Sequence, residues 1–504
     1  MFSNFIQKIR QVIHRMIPYK DIESAEHIET PLSNDMINAL DKWHSMYLND
    51  APWLGGEDDV KSLNLPAFIS SEIARCVTLE MEWNITGTDV DHAGNKAENP
   101  RSIFLKKEAE KLFKDLRRKL EQGCAGGGLV IKPYVRDGKI FFDWVIDWSL
   151  YPVSFGDDGD LTDVIFPDVY VDGKDIYTRL ERHTQMKDGA TRITQRAFKS
   201  NTRDSLGKEI SLSDVPRWAE LPPEAIIRDV DGQMFGWFKV AAANNVDIDS
   251  PMGISVFSKS EDVIREADEQ YSRLLWEYEG SELAIDVDPT VMRARKGTNG
   301  TLEMPKLKKR LFRKIDLGTD DHYNVFSPAI RDVSLVNGLN ELFMRIEDLS
   351  GMARGTISNV NDTARTATEL KIMRQRTYAT ISDNQKALER CLQDVIRAMD
   401  RYATIYKLAP EGEYEVSFVW DDSVITDSEQ QMNERMVLYN IGAIGLAEMR
   451  MWYLGETKAQ AQQAIAEIAA EKAALMADMQ AMVPTVPDDD MPPGGDSSPP
   501  APTK

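Results

Sequence analysis

Acidic residues at short spacing raise the question of a metal site. Asp89, Asp91 and Gly94 match the beginning of an EF-hand calcium loop, in which oxygen ligands recur at alternate positions. The match then fails, because Ala93 and Pro100 stand where that loop needs ligating oxygens. We therefore expect no EF-hand here.

A second acidic group contains Asp157, Asp158, Asp160 and Asp163. These carboxylates either gather a cation, which would suit a metal-dependent nuclease, or lie in a surface turn. We favour the turn, because the same stretch contains the turn-forming sequence Asp-Asp-Gly-Asp.

Other patterns of catalysis are missing from the sequence. It lacks a phosphate loop, an HExxH zinc motif and a GxSxG nucleophile elbow, and SLGKE at 205–209 lacks the upstream glycine of a phosphate loop. Cys76, Cys124 and Cys391 lie far apart, which argues against disulfides and thiolate metal sites and fits a reducing cytosol. We predict no enzyme activity, no catalytic residue, no metal and no cofactor.

The segment PKLKKRLFRKI is strongly basic in an otherwise acidic chain. Six of nine consecutive positions are Lys or Arg, namely Lys306, Lys308, Lys309, Arg310, Arg313 and Lys314. The cluster is either the solvated face of a strand or helix, or a docking patch for an acidic partner or for DNA phosphates.

The stretch GMARGTISNVNDTARTATEL, residues 351–370, is polar although helical apolar spacing lies on both sides of it. Gly351 and Gly355 give the backbone freedom, and Arg354 and Arg365 add two cations. The two arginines among small polar residues make this loop a second candidate functional feature of the chain. Alternatively, the two arginines cap helix ends or pair with nearby carboxylates.

The elements before these segments predict an α+β region. Residues 33–122 are mainly helical in pattern, and Gly126–Gly128 mark the end of the last helix. GLVIKPYVRDGKIFFDWVID predicts two strands joined at Asp137-Gly138. LTDVIFPDVYV, DIYTRLERHTQ and TRITQRAFKS predict further strands of a mostly antiparallel sheet.

Long helices follow Gly253. The spacing predicts a helix of about 25 residues, a compact segment at 284–325, a returning helix at 329–350 and, after the polar loop, a helix of about 43 residues. Neither helix of the pair covers its apolar side alone, so we predict a ring of identical copies around a central hole.

The formal net charge of −22 over 504 residues repels nucleic acid at long range, which disfavours a tight or sequence-reading DNA-binding protein. No apolar run of about 18 residues suggests a membrane span. The N-terminus predicts an amphipathic helix that docks on its own domain or a partner, or lies on a membrane surface. The Pro-rich, acidic end predicts a disordered tail.

This order of parts resembles the portal proteins of tailed double-stranded-DNA bacteriophages, above all the roughly 500-residue portals of phages with long non-contractile tails. The resemblance lies in the helix–knob–helix at 254–350, in the polar loop, and in the C-terminal stretch IGAIGLAEMRMWYLGETKAQAQQAIAEIAAE. It implies a mostly α, α+β portal fold, with the parts in the following order: N-terminal amphipathic segment 1–32, wing 33–253, stem helix 254–283, clip 284–327, stem helix 328–350, tunnel loop 351–365, long helix 366–409, wing strand 410–426, crown 427–482 and disordered tail 483–504.

The resemblance also implies a ring of about twelve subunits at one capsid vertex, assembled in the host cytoplasm and retained in the virion. Its partners would be double-stranded DNA in the channel, the terminase large subunit, a head-completion or connector protein, and the major capsid and scaffold proteins, without a membrane. The basic cluster would be a docking patch in the clip. The tunnel loop would contribute Gly351, Arg354, Gly355, Thr356, Ser358, Asn359, Asn361 and Arg365 to the channel.

Two alternatives stay open at this level. Arg354 and Arg365 would have no DNA role if they paired only with Asp362 and Glu369. The whole chain would be a non-enzymatic helical scaffold or structural protein if its long helices formed filaments or dimers without a DNA channel.

Overall fold

The computed structural model describes residues 17–54, 60–79, 81–88, 98–202, 205–228, 232–282, 284–287, 295–296, 302–303, 312–314, 323–326, 329–359, 367–420, 428–454 and 458–481. The chain divides into two compact units, Met1–Asp421 and Asp422–Lys504.

The described helices of the first unit are α1 (Tyr19–Glu26), α2 (Asn34–Tyr47), α3 (Leu65–Thr78), α4 (Pro100–Gly126), α5 (Glu261–Gly280), α6 (Asp332–Ser350) and α7 (Ala367–Ile405). Its strands are β1 (Met81–Gly87), β2 (Gly128–Arg136), β3 (Lys139–Ile146), β4 (Tyr151–Phe155), β5 (Leu161–Asp172), β6 (Asp175–Gln185), β7 (Thr191–Ser200), β8 (Lys208–Ile210), β9 (Glu224–Ile227), β10 (Gly236–Lys239), β11 (Ala284–Val287), β12 (Arg295–Lys296), β13 (Leu302–Glu303), β14 (Phe312–Lys314), β15 (Tyr323–Phe326) and β16 (Tyr414–Trp420).

Side-chain caps fix where the N-terminal helices begin. Ser33 Oγ accepts a hydrogen bond from Met36 N at 3.2 Å, and Asn99 and Ser102 form a reciprocal capping box at the start of α4. Gly127 follows α4 with φ 92°, in the left-handed region. The predicted helix stop at the glycine run is therefore confirmed.

One strand lies inside the region that the sequence predicts as mainly helical. β1 pairs antiparallel with β16, with Trp83 opposite Phe418, and Trp83 stacks on Phe113 of α4 at 4.0 Å between ring centroids. Its partner strand comes far later in the chain, so no local sequence pattern predicts β1.

The hairpin predicted at Asp137-Gly138 is confirmed. Asp137 and Gly138 have φ of 51° and 68°, and Arg136 pairs with Lys139 across the two-residue turn. β10 joins the other edge of β2, which gives the strand order β10-β2-β3.

The three further predicted strands are also confirmed, as β5, β6 and β7. They form the centre of a six-stranded antiparallel sheet in the order β4-β5-β6-β7-β8, with β9 paired to β7.

The helical hairpin α5–α6 begins later than its pattern predicts. Residues 254–257 are not helical, because Val256 N donates to the Cys124 carbonyl at 3.0 Å and Gly253 packs against the Gly127 backbone. A Cβ added to Gly253 would lie 2.1 Å from the Gly127 oxygen, so only glycine fits there.

The long helix α7 has 39 residues, against about 43 from the pattern. The predicted apolar stripe is buried at Leu388, Cys391, Leu392, Val395, Met399 and Tyr402, whereas Tyr406 lies beyond the helix and is exposed. β10 packs closely on α7, since a Cβ on Gly236 would lie 2.1 Å from the Cys391 carbonyl oxygen.

Short strands occupy the described part of the segment between α5 and α6. β11 pairs in parallel with β14 and antiparallel with β15, and β12 pairs with β13. The second unit contains α8 (Ser428–Asn440), α9 (Leu446–Leu454) and α10 (Lys458–Ala481), as its helical pattern predicts.

Among the described helices, none has the length and apolar character that crossing a bilayer requires. The amphipathic pattern before Ile17, the EF-hand-like residues Asp89, Asp91 and Gly94, and the acidic tail 483–504 lie outside the described residues.

Candidate functional site

The polar loop leaves the end of α6 through Gly351. This glycine has φ 71°, and Met352 N donates to the Glu347 carbonyl at 2.9 Å, which ends the helix. A Cβ at Gly351 would lie 2.6 Å from Thr380 Oγ1 on α7. Both the backbone conformation and the close approach of α7 therefore require glycine.

The loop then folds back onto α6 around one buried carboxylate. Glu347 is fully buried. Its oxygens accept hydrogen bonds from four loop groups, namely Gly355 N (3.3 Å), Ile357 N (2.5 Å), Ser358 N (2.8 Å) and Ser358 Oγ (2.7 Å). Hydrogen bonds of this number compensate a carboxylate that burial would otherwise penalise.

A second attachment lies closer to the beginning of α6. Asn340 Oδ1 accepts from Asn359 N at 2.6 Å, and Asn340 Nδ2 donates to the Asn359 carbonyl at 3.1 Å. Both backbone groups of Asn359 are thus bound by one side chain. The described half of the loop, residues 351–359, consequently runs back along α6.

Arg354 lies at the turn of this loop and is paired with α6. Its Nε and Nη2 donate to Asp348 at 3.2 and 2.7 Å, and its side chain stays 44% exposed. The bond to Asp348 raises the pKa of Arg354 further, so the side chain is cationic at any physiological pH. Asn361 and Arg365 lie outside the described residues.

The remaining loop residues are held by local bonds. Thr356 Oγ1 donates to the Ala353 carbonyl at 2.6 Å, and Gly355 has φ 96°. Ser358 is buried. In this half of the loop the structure brings together Gly351, Arg354, Gly355, Thr356, Ser358 and Asn359 around the C-terminal half of α6.

The basic cluster is described only in part. Arg313 and Lys314 belong to β14, where they lie opposite Asp286 and Val287 of β11. Lys306, Lys308, Lys309 and Arg310 lie outside the described residues.

The acidic residues between β4 and β5 form a turn, as predicted from the sequence. Gly156 N donates to the Asp160 carbonyl at 2.9 Å, and Asp160 N donates to Asp158 Oδ1 at 3.0 Å. Asp163 is buried in a bidentate pair with Arg182, at 2.9 and 2.7 Å. In the part of the chain that the structure describes, no His, Cys, Asp and Glu side chains gather as a metal site would require.

Buried charges in the α+β region pair with each other. Lys132 Nζ donates to Glu181 Oε1 at 2.7 Å, and His183 Nε2 lies 2.8 Å from the same oxygen. Burial alone would raise the pKa of Glu181, but Lys132 and His183 outweigh it and hold this pKa well below its usual value. Burial lowers the pKa of His183, so the imidazole is neutral and donates to an ionised Glu181. Their mutual pairing offsets part of the desolvation cost of burying these three groups.

In a comparison with protein families, residues 63–476 of the 504-residue chain match the family described as phage portal protein, SPP1 Gp6-like. The chain belongs to the phage portal protein family. The match spans far more than half of the portal chain and includes the α5–α6 hairpin and the polar loop. It confirms the resemblance drawn from the sequence, and the α+β fold agrees with it. The family is structural rather than enzymatic. Among curated proteins, this portal chain has no match.

The sequence patterns do not single out Glu347 and Asn340, the two residues that organise the portal loop. A carboxylate and an amide on an amphipathic helix normally face water. Their spacing does indicate that they share a helix face, since positions seven apart lie on one face, and their neighbours Leu339 and Ile346 are apolar. Only the reversal at Gly351 shows that the loop returns to this face.

Proposed function

We propose that this portal chain forms a closed ring of about twelve subunits at one vertex of the capsid. Double-stranded DNA would enter the head through the ring during packaging and leave through it during ejection. The chain would assemble in the host cytoplasm and remain in the virion. The terminase ATPase would supply the energy, since the chain shows no phosphate loop of its own.

The observation that carries the proposal is the uncovered apolar surface at one end of the α5–α6 hairpin. Trp276 is 67% exposed and Val333 is 68% exposed. Other large apolar side chains near them are also exposed, namely Leu275, Tyr278, Ile330 and Val336. Apolar patches of this kind mark interaction sites, and neighbouring copies in a ring would cover them.

The hairpin has the bonds that a rigid channel wall needs. Ser260 Oγ and Ser350 Oγ lie 3.2 Å apart at one end, and Gln270 Nε2 donates to the Leu335 carbonyl at 3.4 Å. At the other end, Arg331 Nη2 donates to Glu277 at 2.7 Å. These three contacts tie the two helices together along their shared length.

The loop 351–365 would line the narrowest part of the channel. Gly351, Arg354, Gly355, Thr356, Ser358, Asn359, Asn361 and Arg365 are the residues proposed to lie there. Phosphate contact without base reading would permit DNA to slide. The net charge of −22 per chain would keep the rest of the ring from binding the duplex.

The segment 284–327 would form the clip and carry the docking patch, Lys306, Lys308, Lys309, Arg310, Arg313 and Lys314. Six cations at one place in an acidic chain would offer an acidic surface of the terminase large subunit a local attraction. The head-completion or connector protein would use the same end later. Major capsid and scaffold proteins would surround the wing.

Electron microscopy of the purified full-length chain tests the proposal. We expect rings of about a dozen subunits with an axial hole, and heads without DNA when the chain is omitted from phage assembly. Filaments or dimers would favour a helical scaffold without a channel. A monomer at every concentration, absent from virus heads, would refute the ring.

A further inference from the structure

We infer that Glu347 and Asn340 are positioning residues that attach the first half of the loop to α6 and so fix where the loop meets DNA. The attachment itself stands on the geometry alone. Its consequence for DNA rests on the proposed function.

Glu347 provides the stronger attachment. Its carboxylate is fully buried and accepts bonds from three loop N–H groups and one hydroxyl. Hydrogen bonds to an ionised acceptor are roughly twice as strong as neutral ones. Releasing the loop would exchange these charge-assisted bonds for bonds to water, and the net loss is larger for an ionised acceptor than for a neutral one, so the attached state is favoured.

Asn340 provides a second attachment on the same face. It precedes Glu347 by seven residues, which places it two helical turns away, about 10 Å along the axis. The amide binds both the N–H and the carbonyl of Asn359, as a paired strand would. Two attachments about 10 Å apart fix both the position and the direction of the chain between them.

The consequence concerns Arg354. This residue lies in the turn Ala353–Thr356, directly before the groups bound by Glu347, and Asp348 pairs with it from the adjoining helix position. Its guanidinium is therefore presented from a fixed point while remaining partly exposed. Passing DNA would meet, on each subunit, a guanidinium held at a fixed place beside the Asp348 carboxylate, instead of one that moves freely.

The substitution Glu347→Gln tests the attachment. Glutamine has the same size but replaces one acceptor oxygen by an NH2 group that faces the loop N–H donors. In the purified chain, whatever its oligomeric state, we expect hydrogen exchange at the amides of Gly355, Ile357 and Ser358 to accelerate by about tenfold or more. Glu266→Gln is the matched control, because Glu266 is an exposed glutamate on the neighbouring helix α5, and its exchange pattern should equal the parent's.

A second readout separates positioning from general stability. Glu347→Gln rings should assemble normally, while heads built with them should package or retain less DNA. Glu347→Asp keeps the carboxylate on a shorter side chain and should recover part of both properties. If Glu347→Gln fails to assemble, Asn340→Ala and Ser358→Ala each remove part of the attachment and should raise exchange in the same segment.

Each outcome decides a different point. Unchanged exchange in Glu347→Gln, or in both replacement variants, would overturn the attachment. Faster exchange with normal DNA content would overturn the role in DNA positioning. Parent rings that play no part in filling heads with DNA would instead overturn the proposed function, and the exchange result would still stand.

Discussion

Among single residues, Asp147 has the most unusual environment for a charged group. It is fully buried, its Oδ1 accepts from Trp237 Nε1 at 3.1 Å, and its Oδ2 has no hydrogen-bond partner among the described atoms. Burial raises the pKa of Asp147 to about 8, against 3.8 for an ordinary aspartate. The carboxyl is therefore protonated at neutral pH.

This proton makes stability depend on pH. The folded chain keeps it up to about pH 8, whereas the unfolded chain loses it near pH 3.8. The stability it contributes is fully present below the unfolded pKa and falls as pH rises through that window, by up to about 1.4 kcal/mol per pH unit. Asp147→Asn should flatten this decline and exceed the parent in stability at pH 8, as urea unfolding at pH 5 and pH 8 would measure.

Asp137→Asn is the control for that comparison. Asp137 is 91% exposed, and asparagine accepts the same left-handed turn position. Its pH dependence should match the parent's. An equally steep decline in Asp147→Asn would show that this carboxyl already ionises in the folded chain.

Among the elements, the β2–β3 hairpin depends on the backbone of its turn. Gly138 has φ 68°, and a Cβ placed there would meet no atom within 4 Å. The cost of Gly138→Ala is therefore conformational alone, and we expect a loss of about 1 kcal/mol in the free energy of unfolding. Denaturant unfolding measures it. No loss would mean that the turn relaxes to another conformation without penalty.

In the α5–α6 hairpin, by contrast, we expect replacement of a glycine by alanine to stabilise the chain. Gly338 lies inside α6 without a positive φ, and a Cβ there would lie 3.5 Å from Gln270 Nε2 of α5, an ordinary contact. Gly338→Ala should raise the free energy of unfolding by about 0.5–1 kcal/mol, because alanine loses less backbone entropy in a helix. Destabilisation of the isolated chain would show that the two helices cannot admit the methyl group.

Elements with local signals could be predicted from the sequence, and those with distant partners could not. The Asp137-Gly138 hairpin needs only its own turn residues, and the stripe from Leu388 to Tyr402 needs only helical spacing. β1 could not be predicted, because its pairing depends on β16.

The same physical limit applies to the candidate site. The polar composition of 351–370 between two apolar helical patterns predicts the loop, because glycine and small polar side chains favour loops over helices. The attachment to Glu347 did not show, because a glutamate on a helix has the same pattern whether water or a returning loop covers it. The fixed course of this half of the loop is thus a finding of the structure.

At the scale of the whole molecule, net charge and exposed apolar surface have opposite effects on association between copies of the chain. A formal charge of −22 makes copies of the chain repel one another, although less so at physiological salt, where charges more than about 8 Å apart are screened. Association therefore has to come from short-range burial of apolar surface. Such a surface is offered by Trp276, Val333 and their exposed apolar neighbours, at the end of the α5–α6 hairpin away from Ser260 and Ser350.

Trp276 is the side chain with which to test this balance. A buried tryptophan at the centre of a contact is commonly among the strongest contributors to association, and a carboxylate in its place would add both desolvation cost and like-charge repulsion. Trp276→Glu should therefore leave the monomer folded, with parent-like circular dichroism, and convert rings into smaller species in sedimentation velocity. Ile248→Glu is the matched control, since Ile248 is 88% exposed in the α+β region, and its rings should persist. Intact rings in Trp276→Glu would show that this end of the hairpin is not a subunit contact, whereas loss of rings in both variants would show that added negative charge alone prevents assembly.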